Sequence, residues 1–551
     1  MIDRDIHLAR ALLVDGNAML RSVAVAQLRD AGVGHVASAS RVKEARLMLE
    51  REPFDIVICN REFEDCDDNG QDLLDELRRE NQLPHSTVFL MVITKASYHQ
   101  VVEAAEAALD GILVRPYSGA LLAQRLTEAR HRKRELAPIL RALDAGHTEA
   151  ALARALKRFQ GKQPYATYCG RLVAELLLRM GRAQDARKMF EVLAQPKNAI
   201  WARLGVARAE IAAGEAQQAR KTIAGVLADD PGSADAHDLV GRILVEQCDF
   251  DGALAEYHLA ADLTPGCLLR AQHAGALAFF QGQGTDALHL LERTLGLGVQ
   301  SKLFDALSLL LIAILRFDLG DKPGVILMRE QLARYHERFP NSRRLTRFGQ
   351  AADVLVGLLG GAAESAAQTL GALAAQAGAD DFDLEIANML LAVSARMPHG
   401  LLPEARQEDL IDRIAMRFCV SKAMTEVLVA SARREEPALA LIRRAQARVA
   451  ALAEQAMEAS LSGDPAGAAT RLLEAGEQSL NAKLLEMAGL IARRHASAVP
   501  EAEALITRAT AVLKRSCMAM NHIAGIQRSG RSPGGLQLRV RAEDRTDVAT
   551  A

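Results

Sequence analysis

The rhythm of apolar and polar positions changes once along this chain, near residue 134. Before it, short apolar runs alternate with stretches of helical spacing. Residues 8–14, a short segment around Val36, residues 55–60, 87–93 and 112–114 read as strands. Residues 18–31, 41–50, 69–80, 97–108 and a segment opening at Ser118 read as helices. Ile56, Val57 and Ile58 are consecutive β-branched residues, the pattern of a strand covered on both faces. Five βα units with short connections predict a doubly wound parallel sheet, flavodoxin-like and five-stranded. In such a sheet the carboxyl ends of the strands share one edge, so Asp15, Asn60, Thr94 and Arg115 are expected to share a site.

After residue 134 the strand signal disappears and small residues recur. Gly146, Gly181, Gly214, Cys248 and Gly282 follow one another at intervals of 33 to 35 residues, and Ala151, Ala186, Ala219, Ala253 and Ala287 each lie five residues further on. Ala174, Ala207, Gly241 and Gly275 fall twelve positions before four of those alanines, and Pro231 and Pro265 are 34 apart. A period near 34 with a glycine turn predicts stacked helical hairpins, an all-α solenoid, over residues 135–298. The same pattern continues more loosely over 299–525, with turns at Gly320, Gly360–Gly361 and Gly463, helix ends at Pro340 and Pro398, and Pro500 as a first helical position. Residues 438–457 form the longest amphipathic stretch, with a core-facing stripe of Leu441, Ala445, Val449, Leu452 and Ala456. Residues 526–551, rich in Gly, Ser, Arg and Asp, are expected to form a disordered tail. The helix opening at Ser118 has no Pro or Gly from Ala120 to Ala137, so residues 1–134 should be joined semi-rigidly to the first hairpin, which shares this helix.

Composition agrees with a helical chain: half of the 551 residues are apolar, but only 4% are aromatic. Sixty-seven basic against 69 acidic residues leave a net charge of −2, with no overall field to draw the chain to nucleic acid or an anionic membrane. The basic cluster from Arg130 to Arg134 reads as a solvated helix face. Seven scattered cysteines without C-x-x-C spacing are expected to be reduced thiols in a cytoplasmic protein, and no apolar run approaches bilayer length. No Walker loop, nucleophile elbow, H-E-x-x-H or kinase motif is present, so no enzyme is expected.

Residues 8–134 resemble the receiver domain of bacterial response regulators, on Leu12-Leu13-Val14-Asp15, Phe54 to Asn60, Asn69-Gly70, Val92-Ile93-Thr94 and Val114-Arg115-Pro116-Tyr117. The hairpins resemble tetratricopeptide repeats, with Phe190, Tyr257 and Leu291 at the bulky packing position. The first resemblance implies two acids binding Mg²⁺, an Asp taking a phosphoryl group, a Ser or Thr reporting it and a Lys contacting it. Here Asp15 is retained, but Gly16 replaces the second acid, Asn60 the acceptor and Arg115 the Lys. Counting back from Arg115 without a gap puts Ile93 rather than Thr94 at the reporting position. A carboxamide is uncharged and its nitrogen lone pair is delocalised, so Asn60 has no nucleophile for a phosphoryl donor. Mg²⁺ would bind weakly and no cofactor is expected, while Glu62, Glu64, Asp65 and Asp67 read as a solvated acidic loop. Arg115 is expected to pair with Asp15.

The leading expectation is a noncatalytic adaptor, an atypical response regulator that meets protein partners through the helical groove and the receiver face. One alternative is a phosphate-gated regulator with an acceptor such as Asp65 or Asp67. The other is a nucleic-acid-associated regulator using Arg343-Arg344, Arg443-Arg444 and Arg493-Arg494.

Overall fold

The computed structural model describes residues 5–63, 70, 73, 74, 77, 82–94, 110–195, 199–299 and 303–517, apart from 399, 402 and 433–435. The expected helix at 97–108, the acids Glu64, Asp65 and Asp67, and the tail at 526–551 lie outside these residues.

Five parallel strands form one sheet: β1 (Arg10–Val14), β2 (His35–Ala39), β3 (Ile56–Asn60), β4 (Val88–Ile93) and β5 (Gly111–Val114), in the order β2-β1-β3-β4-β5. Ile56, Val57 and Ile58 in β3 and Phe89 and Leu90 in β4 are wholly buried, as their unbroken apolar runs require. Alternation along each strand divides the core in two. Ala11, Leu13, Ile56, Ile58, Leu90 and Val92 pack with the helices Ala18–Asp30 and Gly119–Glu135. Leu12, Val14, Val57, Cys59, Met91 and Ile93 pack on the other face with Ala45 and Leu49 of the helix Val42–Arg51 and with Leu73, Leu74 and Leu77. The first strand is shorter than expected, because pairing begins at Arg10 opposite His35 and Ile6–Leu8 forms a single helical turn instead.

The junction also departs from the sequence reading. The helix Gly119–Glu135 stops at Leu136, and a separate short helix, Ala137–Asp144, starts at once with Pro138 in its first turn. The break falls there because Pro138 has no N–H for a continuing helix. The first hairpin therefore has its own leading helix and no loose linker.

Beyond it, hairpins follow one another to residue 512, and one turn chemistry closes the leading helix of each repeat. Gly181, Gly214 and Gly282 adopt φ of 74°, 79° and 75°, and Cys248 adopts 63°. The next N–H reaches back five residues each time: Arg182 to Leu177 (2.9 Å), Glu215 to Glu210 (2.8 Å), Asp249 to Leu244 (2.9 Å) and Gln283 to Ala278 (2.9 Å). This left-handed cap satisfies carbonyls that would otherwise be orphaned at the helix end. Gly241 lets its helix approach the next one closely, since a Cβ there would lie 2.7 Å from the Tyr257 ring. The helix Ala502–Val512 opens two residues later than expected, with Pro500 in the preceding turn.

One packing feature has no counterpart in the local pattern. The helices Leu268–Phe280, Leu307–Asp318, Arg343–Leu359, Leu384–Ser394 and Lys422–Ser431 pack side by side in turn, and the last returns to touch the first and the helix Ala234–Glu246. The solenoid thus closes on itself over 234–431. Every residue of Leu384–Ser394 is buried, and Arg396 just beyond it bonds to Asp318 at the end of Leu307–Asp318 (2.8 Å). One apolar core runs from Leu244 to Cys517, with no break at 298. The helix Glu436–Leu461 buries Leu441, Ala445, Val449 and Ala456 of the expected stripe.

Candidate functional site

Strand alternation places the site. Ala11 and Leu13, Ile58, Val92 and Leu113 point to one face of the sheet, so the next residues of that parity beyond the core are Asp15, Asn60, Thr94 and Arg115. Register brings them level: the pair Val14 and Cys59 precedes Asp15 and Asn60, and the pair Ile93 and Val114 precedes Thr94 and Arg115. Ile93 belongs to the opposite core, and Thr94, exposed just past β4, is the one on the face of Asp15 and Asn60.

The Arg115 guanidinium forms an ion pair with the Asp15 carboxylate, whose side chain is 2% exposed. The second oxygen of Asp15 accepts the Asn17 N–H at 2.9 Å. Arg21 donates to the Asp15 carbonyl at 2.6 Å and to the Gly16 carbonyl at 3.3 Å. Asn60 Nδ2 donates to the Glu62 carbonyl at 2.7 Å, and its Oδ1 is buried with no hydrogen-bond donor among the described residues. That assignment is the sensible one, since a flipped amide would set two acceptors against each other. The Tyr117 hydroxyl is hydrogen-bonded to Arg115, and burial raises its pKa, with Asp15 adding to the rise and Arg115 opposing it. Gly70 lies against the Asn60 backbone, where a Cβ would collide with the Asn60 carbonyl and come within 2.8 Å of Cys59 Sγ.

All five expected pocket positions, Asp15, Gly16, Asn60, Thr94 and Arg115, therefore gather at one edge of the sheet. Asn17, Arg21 and Tyr117 were missed. Asn17 was legible as a helix N-cap, since its side chain accepts from the N–H groups of Met19 and Leu20. Tyr117 stood in the matched segment beside Arg115 without being assigned to the pocket, and Arg21 carried no signal. The donor set does not fit Mg²⁺, which needs hard anionic oxygens. The one carboxylate retained is held by a guanidinium and an N–H, and Asn60 offers a neutral oxygen. Among the described residues no group of three or more His, Cys, Asp or Glu side chains is placed to hold a metal ion.

At the opposite end of β5, Arg132 and Lys133 of the basic cluster turn away from solvent, while Arg134 is exposed. Arg132 and Lys133 both pair with the buried Asp110, at 2.6 and 3.1 Å, while Asp110 also accepts the Phe89 N–H at 2.9 Å. Burial would lower the Arg132 pKa, but Asp110 overrides it and the net shift is upward. Lys133 donates to the His85 carbonyl (2.6 Å), and the His85 ring bonds to Asp144 of the first repeat (2.7 Å). Arg132 lies 5.2 Å over the Tyr168 ring. These side chains tie the sheet to the first hairpin, a role hidden from sequence because Asp110, His85 and Asp144 are distant in the chain.

The profile described as the response regulator receiver domain matches residues 11–127, and that of the tetratricopeptide repeat matches 177–243. Chemotaxis protein CheY-3 of Vibrio cholerae serotype O1 is 32% identical over 117 residues, 21% of this chain and 88% of that protein. Chemotaxis protein CheY of Pseudomonas aeruginosa is 31% identical over 117 residues, 21% of this chain and 92% of that protein. A solved response regulator receiver domain protein from Clostridium thermocellum is 20% identical, covering 23% of this chain and 98% of its own, with a TM-score of 0.21. Among the described residues no helix is long and apolar enough to cross a membrane.

Proposed function

The chain belongs to the response regulator receiver family, and on that premise we propose that it is a noncatalytic signalling adaptor whose receiver carries no acyl phosphate. The observation that carries this reading is the pocket itself. Asn60 stands at the acceptor position without a nucleophile, and Asp15 is committed to Arg115. The helical region supplies protein contact surface outside the closed stretch, and the receiver face supplies a second. Its partners are proteins, not nucleic acid, and it works in the cytoplasm without a cofactor.

Cross-linking mass spectrometry of the full chain in lysate of its own host tests this. The wild type should cross-link to protein partners, and the set should be unchanged by a small phosphodonor and by Asn60→Gln. Partners recovered only after phosphodonor treatment would favour the phosphate-gated reading through a carboxylate of the 62–68 loop.

A further inference from the structure

We infer that Arg115 is the resident cation of this pocket, taking the place that the family gives to a divalent metal, so that the sheet edge is closed with no metal ion. This deepens the reading of the pocket as degenerate and rests on it. A divalent cation at this edge would need Asp15, the carbonyls around it and an oxygen at position 60. Arg115 holds one Asp15 carboxylate oxygen and the Asn17 N–H holds the other. Arg21 covers the carbonyls of Asp15 and Gly16. Asn60 Nδ2 occupies the Glu62 carbonyl. Among the described residues, what remains of that set is Asn60 Oδ1, neutral and without a donor.

The charge count agrees. Asp15 supplies one negative charge, more than matched by Arg115 paired with it and Arg21 on the adjoining carbonyls, where a pocket with acids at 16 and 60 would carry two further negative charges. A guanidinium presents five fixed donors, so the pairing needs no metal ion to complete it. Gly16 is not sterically forced: its φ is ordinary, and a Cβ there would make no contact closer than 3.4 Å, to Phe63. Space therefore does not exclude an acid at position 16, and a carboxylate there would add a negative charge beside the Asp15–Arg115 pair. Arg115 acts here as a positioning residue, joining the ends of β1 and β5.

The test is Mn²⁺ binding to the full chain, read by electron paramagnetic resonance and by water proton relaxation. The reference is Asp15→Ala, so that only Asp15-dependent binding counts and the loop carboxylates are subtracted. The wild type should show no Asp15-dependent binding. Gly16→Asp/Asn60→Asp/Arg115→Lys should bind Mn²⁺ at least about tenfold more tightly than the wild type, and Arg115→Gln should show a smaller gain. Asp15-dependent Mn²⁺ binding by the wild type would overturn the inference. So would a triple variant, folded by circular dichroism, that gains nothing, because Arg115 would then not be what displaces the metal. Phosphorylation of a loop carboxylate would defeat the adaptor reading while leaving these metal results untouched, so the two failures are distinguishable.

Discussion

Glu175 and Arg208 stand one repeat apart, on the leading helices of neighbouring hairpins, and form a two-pronged ion pair at 2.7 and 2.9 Å with both side chains buried. Burial alone would raise the Glu175 pKa, but Arg208, with Arg179 and Arg171 nearby, holds it below the ordinary carboxylate range. Removing one partner strands a buried charge, so Arg208→Met should cost about 3–5 kcal/mol, whereas Glu175→Leu/Arg208→Met should lie close to wild type. A depressed carboxyl contributes stability that is present above its unfolded pKa of about 4.3 and lost as pH falls through the folded value. Denaturant melts below about pH 4 should therefore show a steeper loss for the wild type than for the double variant.

Two helix-interior glycines make opposite predictions. A Cβ on Gly241 would press on the Tyr257 ring at 2.7 Å, so Gly241→Ala should destabilise by about 1–3 kcal/mol. Gly349, in the helix Arg343–Leu359, has open space where a Cβ would be, and Gly349→Ala should stabilise by about 0.5–1 kcal/mol. Urea midpoints of the two variants, measured side by side, check the sign of each.

Cys248 is the member of the glycine series that is not glycine. Its φ of 63° is a left-handed conformation that costs a side chain about 1–2 kcal/mol, partly offset by the greater freedom of an unfolded glycine. Cys248→Gly should raise stability by about 0.5–1 kcal/mol, and Gly214→Ala, at φ 79°, should lower it. Calorimetric melting of both variants decides.

Much of this architecture was legible in the sequence because it is local. The β-branched run at Ile56–Ile58 fixed a buried strand, the glycine period fixed the turns, and the strand ends brought Asp15, Asn60, Thr94 and Arg115 to one edge. What was not legible depends on contacts between distant segments. Nothing near Arg132 or Lys133 announces that Asp110 will bury them, and nothing in the helix Lys422–Ser431 marks its return to Leu268–Phe280. Which of Ile93 and Thr94 shares a face with Asp15 and Asn60 is a property of register rather than of spacing.

The junction makes a fourth prediction. With Arg132 and Lys133 held by Asp110, and His85 by Asp144, limited proteolysis of the full chain should spare residues 125–145 despite their basic side chains. Asp110→Ala leaves both cations without that carboxylate and should speed cleavage between Arg125 and Arg134. Equal protection in the two proteins would show that the ion pairs do not hold the sheet to the repeats.

The most direct test is phosphorylation of the full chain by a small phosphodonor with Mg²⁺, read as hydroxylamine-labile label. The wild type should take up none, because Asn60 has no nucleophile. Asn60→Asp should label weakly, since Gly16 and Arg115 still deny it a metal and a compact ammonium, and adding Gly16→Asp and Arg115→Lys should increase the label. Robust labelling of the wild type, mapped by mass spectrometry to any carboxylate between residues 62 and 68, would contradict the account.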